Sequence, residues 1–146
     1  MKKILLTAIL LAGSYANAQQ TDIKAAIDGF FSGMHTSDTL MIRSVCGAGI
    51  ILQTVKDSGG QTQVENENMK GFLESIASLP KTMKVEERLL SYDIKTDGPL
   101  AHAWTPYEFY INGKLSHSGV NSFTLIYTES KWQIIHIIDT RRKPKR

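Results

Sequence analysis

Cysteine is nearly missing from this chain, with one residue, Cys46, in 146. A lone cysteine closes no internal disulfide, so packing must hold the fold. Cys46 sits between Val45 and Gly47 with nothing adjacent to lower its pKa, and reads as a small buried hydrophobe rather than a nucleophile. Several signatures are also missing. There is no Cys-x-x-Cys or His-x-His pair, no Gly-x-Ser-x-Gly elbow, no phosphate-binding loop and no dinucleotide fingerprint. These gaps leave a structural metal, a serine-hydrolase site and a nucleotide cofactor without support, and no cofactor or metal is expected. Internal repeats, linkers and low-complexity segments are absent too. The one long apolar run, Ile4 to Ala12, is too short to cross a bilayer core of about 30 Å.

Positive charge is scarce where it would matter for nucleic acid. The chain carries 17 Lys and Arg against 14 Asp and Glu, a net +3. Much of the basic charge lies at the ends, as Lys2 and Lys3 and as Arg141, Arg142, Lys143, Lys145 and Arg146. The body from 19 to 140 is net acidic, whereas a nucleic-acid binder spreads positive charge over a folded face. The basic end, residues 141–146, reads as a solvated tail. At the other end, Lys2-Lys3, the apolar run and Ala16-Asn17-Ala18 have the order of a secretory leader with cleavage after Ala18. The expectation is a leader over 1–18, one domain over 19–140 and a periplasmic or secreted location with no membrane span after cleavage.

Along the domain, Thr21 or Asp22 can cap a helix carrying Ile23, Ala26, Ile27, Phe30, Phe31 and Met34 at helical spacing. Its last turn, Phe30 to Met34, could wall a pocket. A short helix comes after the break at His35 to Asp38. Ile50 to Val55 reads as a strand, Asp57 to Gly60 as a turn and Gln61 to Glu65 as a return strand. Asn66 or Asn68 caps a helix with Met69, Phe72, Leu73, Ile76 and Leu79, closed by Pro80. Four strands complete the domain, Val85 to Lys95, Pro99 to Ile111, Lys114 to Thr128 and Lys131 to Thr140, with turns at Asp97-Gly98, Asn112-Gly113 and Glu129-Ser130. Helices first and a meander after them predict an α+β fold, with helices packed on one face of an antiparallel sheet.

Two-residue turns fix the register if no residue is inserted. One face then carries His102, Trp104, Glu108, Tyr110, His117, Asn121, Phe123, Leu125, Tyr127, Trp132, Ile134 and His136, with Trp104 opposite Asn121. The other carries Leu90, Tyr92, Ile94, Tyr107, Phe109, Ile111, Val120, Ile126, Ile135 and Ile137. Helices can cover only one face, so the other is expected to pair two copies of the chain. The first face mixes rings with polar tips around Trp104 and suits a small-molecule pocket. Pro106 opposite Gly119 marks a candidate bulge. A bulge there would bring Tyr107 and Asp139 to the pocket in place of Tyr110 and His136. Both alternatives stand at this level. The expected pocket residues are therefore Phe30, Met34, Trp104, Tyr107, Tyr110, His117, Asn121, His136 and Asp139.

The order of elements, with the segments Leu100 to Tyr110, His117 to Phe123 and Trp132 to Arg142, resembles the NTF2-like superfamily, also called the cystatin-like α+β cone. More narrowly, these segments resemble a branch of exported bacterial proteins labelled nuclear transport factor 2 family or lumazine-binding. The resemblance implies a curved antiparallel sheet wrapped around N-terminal helices, with a cone whose mouth takes small molecules. It also implies a range of activities, from isomerases, dehydratases and epoxide hydrolases to binders without chemistry, and its lumazine label implies a heteroaromatic ligand.

An isomerase-type site needs a carboxylate base and an acidic hydrogen-bond donor facing one substrate. Glu108 or Asp139 could be the base and Tyr110 or Tyr107 the donor. Asp139 precedes Thr140-Arg141-Arg142, so a salt bridge is its simpler role, and Glu108 with His117 reads as an ordinary cross-strand pair. His102, His117 and His136 stand singly on three strands and read as satisfied polar residues rather than ligands. Two main readings remain, a binding domain without chemistry and a small isomerase, dehydratase or hydrolase, beside a plainer third, a structural homodimer whose cavity is filled by its own side chains. The two main readings differ in whether a carboxylate meets a Tyr or His inside the cone.

Overall fold

The structure, a computed structural model, describes residues 2–58 and 60–144, with side chains from residue 18 onward except at position 58. Three helices precede or interrupt seven strands. They are α1 (Lys2–Thr36), α2 (Thr39–Val45), β1 (Cys46–Ser58), β2 (Gln61–Glu67), α3 (Met69–Ala77), β3 (Val85–Leu89), β4 (Asp93–Asp97), β5 (Leu100–Ile111), β6 (Lys114–Thr128) and β7 (Lys131–Thr140). The expected leader is the first half of α1, where side chains lie outside the described residues, as do Lys145 and Arg146 of the tail.

Local chemistry sets the helix ends. Ser37 takes a positive φ of 55° and stops α1. Asp38 caps α2, its Oδ1 accepting from the N–H groups of Leu40 (3.1 Å) and Met41 (2.9 Å). Asn68 caps α3 by accepting from Gly71 N at 2.8 Å. The α1 stripe is wholly buried, with Ile23, Ala26, Ile27, Phe30, Phe31 and Met34 all in the core.

The sheet runs β2-β1-β7-β6-β5-β3, with β4 also on β5. The α+β class holds, with one difference: β1 pairs parallel to β7, so the curved sheet is mixed rather than purely antiparallel. The expected strand Val85 to Lys95 is two strands. Both pair with β5, β3 along Tyr107 to Ile111 and β4 along Leu100 to Trp104. The gap falls at Thr105-Pro106, where Pro106 has no N–H to donate and only its carbonyl is used, by Leu90 N at 2.8 Å.

Two bulges decide the faces. Ile111 pairs with Lys114 and Tyr110 with Leu115, but Phe109 pairs with His117, so Ser116 is an inserted residue. Ile135 is a second one, between the pairs Leu125–Ile134 and Thr124–His136. Side chains alternate with a period of two, so each insertion exchanges inside and outside for the residues beyond it. The concave face is thus built from Ala101, Ala103, Thr105, Tyr107 and Phe109 of β5, His117, Asn121, Phe123 and Leu125 of β6, and Ile134, Ile137 and Asp139 of β7. The bulges lie away from Pro106 and Gly119, yet their outcome matches the alternative with Tyr107 and Asp139 inside. Trp104 lies opposite Ser122 and is 47% exposed. Tyr107, Phe109 and Ile137, expected on a face open to a second copy, are the residues the helices cover.

Gly119 sits where Tyr107 crosses β6. A Cβ at 119 would overlap the Thr140 carbonyl oxygen and press within 2.7 Å of the Tyr107 ring. Gly119→Ala is therefore expected to destabilise the domain by about 3 kcal/mol, the upper range for overpacking, in urea unfolding. An unchanged midpoint would mean that the strand crossing is looser than described.

Candidate functional site

The concave face and the helices leave a cavity of about 310 Å³, near the lower end of the ~300–1,000 Å³ typical of ligand sites. One side is apolar. α1 supplies Phe30, Phe31 and Met34, α3 supplies Phe72 and Ile76, β1 supplies Leu52, and the sheet adds Phe109 and Ile137. Phe30 and Phe72 stack face to face, with centroids 5.6 Å apart and planes 7° apart. His117 stacks on Phe109 at 4.8 Å and meets the edge of Tyr107 at 5.9 Å.

The other side is polar and converges from four strands. Asn121 of β6 donates from Nδ2 to Glu87 Oε1 of β3 at 2.6 Å. Those strands are separated by β5, so in a flat sheet their backbones would stand about 9.5 Å apart, twice the ~4.7 Å strand spacing. Curvature brings the side chains together. Beside them, Asp139 Oδ2 accepts from the Tyr107 hydroxyl (3.0 Å) and from Arg141 Nε (2.9 Å). The Tyr107 hydroxyl also lies 2.9 Å from the Thr140 carbonyl, so its single proton is shared between two acceptors. Arg141 Nη2 donates onward to the Thr54 hydroxyl at 3.1 Å. Thr105, fully buried opposite Asn121, has a hydroxyl without a hydrogen-bond partner.

The electrostatics follow from burial. Glu87 is pushed up to about 8, first by desolvation and then by the Asp139 charge, against the Asn121 hydrogen bond and Arg141. At neutral pH it is chiefly a carboxylic acid and can donate. Burial and the neighbouring Asp139 and Glu87 raise Tyr107, so its hydroxyl keeps its proton. Burial, aided by Arg141, lowers His117 and leaves the imidazole neutral. Burial is the largest single influence and works against the Arg141 charge, but the hydrogen bond to Asp139 and the charges of Asp139, Tyr107 and Glu87 together hold Arg141 above its ordinary value. The basic tail thus begins with a half-exposed residue tied to the site, and Arg142 pairs through its backbone with Ser118.

Of the expected pocket residues, Phe30, Met34, Tyr107, His117, Asn121 and Asp139 line this cavity. Three do not. Trp104 stands on the outer face. Tyr110 donates to Glu108 at 2.7 Å and lies under Arg88, again outside. His136 is outside as well, 2.9 Å from Gln53 Oε1. The bulge at Ser116 removed the first two and the bulge at Ile135 the third. His102, also outside, meets Ser122 at 3.0 Å, so the three strand histidines do not converge. Among the described residues no group of three or more His, Cys, Asp or Glu is placed to hold a metal. Cys46 is half-buried against the core, and desolvation raises its thiol to about 12. Glu87 and Arg141 were missed as site residues. Glu87 belongs to the run Glu86-Glu87-Arg88, which looks like a solvated edge, and only the pairing of β3 with β5 turns its middle residue inward.

No family model matches the chain, and no curated protein matches it. Solved structures do. An NTF2-like protein of unknown function from Shewanella baltica shares 14% identity over 87% of this chain and 96% of its own, with a TM-score of 0.63. A candidate dehydratase of the NTF2-like family from Streptomyces avermitilis shares 14% over 88% and 99%, at 0.67. A Nostoc punctiforme protein of unknown function with a cystatin-like fold shares 10% over 84% and 90%, at 0.66. At such identities the likeness is one of fold, and the fold is NTF2-like.

Glu87 gives a pH signature. Its folded pKa of about 8 lies above the ordinary 4.5, so between these values the folded state binds more protons than the unfolded one. Its contribution to stability is greatest at and below pH 4.5 and declines as pH rises towards 8. Glu87→Gln should flatten that part of the stability–pH curve, measured by urea unfolding from pH 5 to 9. An identical slope in both proteins would place the Glu87 carboxyl in water.

Proposed function

We propose that this is an exported small-molecule-binding protein of the NTF2-like fold, whose ligand sits in the cavity between α1, α3 and the concave face. The observation that carries the reading is the division of the cavity into an aromatic side and a polar side. The Phe30–Phe72 stack of the helices and the Phe109–His117 stack of the sheet offer flat apolar walls, and Glu87, Asn121, Tyr107, Asp139 and Arg141 bring polar groups to the same cavity. Apolar walls supply affinity by desolvation, and few fixed polar groups orient the ligand. Export is supported by the leader pattern of residues 1–18, and the exported, lumazine-binding branch that the sequence resembles favours a flat heteroaromatic occupant. Pairing of two copies remains part of the reading, now through the outer face, where Ile51, Leu100 and Trp104 are about half exposed.

One observation favours a second reading. A carboxylate and a tyrosine do meet in the cavity, as Asp139 and Tyr107. Asp139 Oδ1 and His117 Nε2 have no protein partner among the described residues and could face a reacting group. A protein of this kind would act as an isomerase or dehydratase, moving a proton with Asp139 as base and Tyr107 as donor. The tyrosine spends its proton on Asp139 and Thr140, which is why binding without chemistry is the leading conclusion.

A screen of flat aromatic compounds by thermal shift and calorimetry tests both. For a binder found in the screen, Asn121→Ala should weaken affinity about tenfold, or ~1.4 kcal/mol. Trp104→Ala, on the outer face, should leave affinity within about twofold. Loss of binding with Trp104→Ala alone would place the site on the other face. Deuterium exchange into the bound compound that Asp139→Asn abolishes would establish the catalytic reading.

A further inference from the structure

The hydrogen bond between Asn121 and Glu87 uses only half of what the two groups offer. Asn121 Nδ2 donates to Glu87 Oε1, while Asn121 Oδ1 and Glu87 Oε2 have no protein partner among the described residues. Both side chains line the cavity together with its aromatic residues. A protonated carboxyl that accepts one hydrogen bond from a carboxamide leaves the amide oxygen as an acceptor and the carboxyl hydroxyl as a donor, with the second amide N–H as a further donor. Here the acceptor is Asn121 Oδ1 and the carboxyl donor is the Glu87 Oε2 hydroxyl. Turning the Asn121 amide over exchanges the two roles and still leaves one of each.

We propose that the cavity takes a flat, uncharged ligand with adjacent N–H and C=O groups, a cyclic amide edge, read together by Asn121 and Glu87. This rests on the small-molecule reading above and adds the ligand's chemical class. The other charged groups fit it. Asp139 and Arg141 of β7 and the residue just beyond it are paired with each other at 2.9 Å and call for no ligand charge. Tyr107 of β5 and His117 of β6 are both neutral at pH 7. On the α1 side, His35 accepts the Glu87 backbone N–H through Nε2 at 2.8 Å, which ties β3 to the helix and requires a ring without a proton on that nitrogen. An anionic ligand would have to shed its hydration in a cavity whose lining cation, Arg141, is already paired with Asp139, and whose remaining charged lining residue, the exposed Glu67 of β2, is itself a carboxylate. A ligand lacking either the N–H or the C=O would leave a buried polar atom unpaired, the situation sites of this kind reject most strongly.

The test uses the full chain and three bicyclic probes, 2-quinolone, 1-methyl-2-quinolone and quinoline, titrated by calorimetry at pH 6.5 and pH 9.5. The cyclic amide 2-quinolone should bind at least tenfold more tightly than the other two at pH 6.5. It should lose about tenfold at pH 9.5, where Glu87 has given up the proton it donates. Glu87→Gln should bind 2-quinolone equally at both pH values, because its carboxamide donates throughout. This separates a ligand-reading group from a merely structural one. If 1-methyl-2-quinolone and quinoline bind as well as 2-quinolone, the cavity reading stands and the amide-edge assignment falls. A pH dependence that persists in Glu87→Gln overturns the role of Glu87. If no probe binds at millimolar concentration, the amide-edge proposal falls, and the small-molecule reading is decided separately by the screen of flat aromatic compounds.

Discussion

A single inserted residue in β6, Ser116, governs this structure more than any one bond. Strand side chains alternate with a period of two, so one extra residue moves everything beyond it to the opposite side relative to its partner strand. The insertion puts Tyr107 and Phe109 on the same side as His117 and Asn121 and expels Trp104 and Tyr110. The insertion at Ile135 does the same for β7, bringing Asp139 beside Asn121 and sending His136 outward. Bulges also raise local twist and bend, and a bent sheet is what brings Glu87 of β3 to Asn121 of β6 across an intervening strand.

The polar side of the cavity shows how burial sets chemistry. Removing Glu87 from water favours its neutral form and makes it a donor, a role that a solvated glutamate cannot fill at neutral pH. Asp139 has Arg141 and Tyr107 as partners and serves as an acceptor. Glu87 and Asp139 thus carry different duties because Asp139 has Arg141 beside it, while desolvation, only partly opposed by the Asn121 hydrogen bond, keeps the proton on Glu87. The helices matter for the same reason. Phe30, Phe31 and Phe72 give the cavity apolar walls from the helices.

Much was legible in the chain itself. The α1 stripe from Ile23 to Met34, the asparagine cap of α3, the Asn112-Gly113 turn with both residues at positive φ, and the succession of helices then strands are local signals, set by periodicity and turn stereochemistry. They were enough for the α+β class and for the contribution of Phe30 and Met34 to the cavity wall. The local signals left parity open. Pro106 and Gly119 pointed to a bulge, but neither residue is its site. Pro106 interrupts the β3–β4 edge, and Gly119 makes room for the Tyr107 ring under Thr140.

The sequence by itself determined which segments are helix and strand, where they turn and which residues are apolar enough to need covering, because those properties depend on neighbours a few positions away. The ion pair of Asp139 with Arg141 could be read from the run Asp139-Thr140-Arg141-Arg142, but only the tertiary structure decided that β1 lies parallel to β7 and that Glu87 leaves a charged run to become a partly buried acid. Each of these depends on register and curvature summed over several strands, and a single inserted residue such as Ser116 reverses the outcome without any change in local propensity.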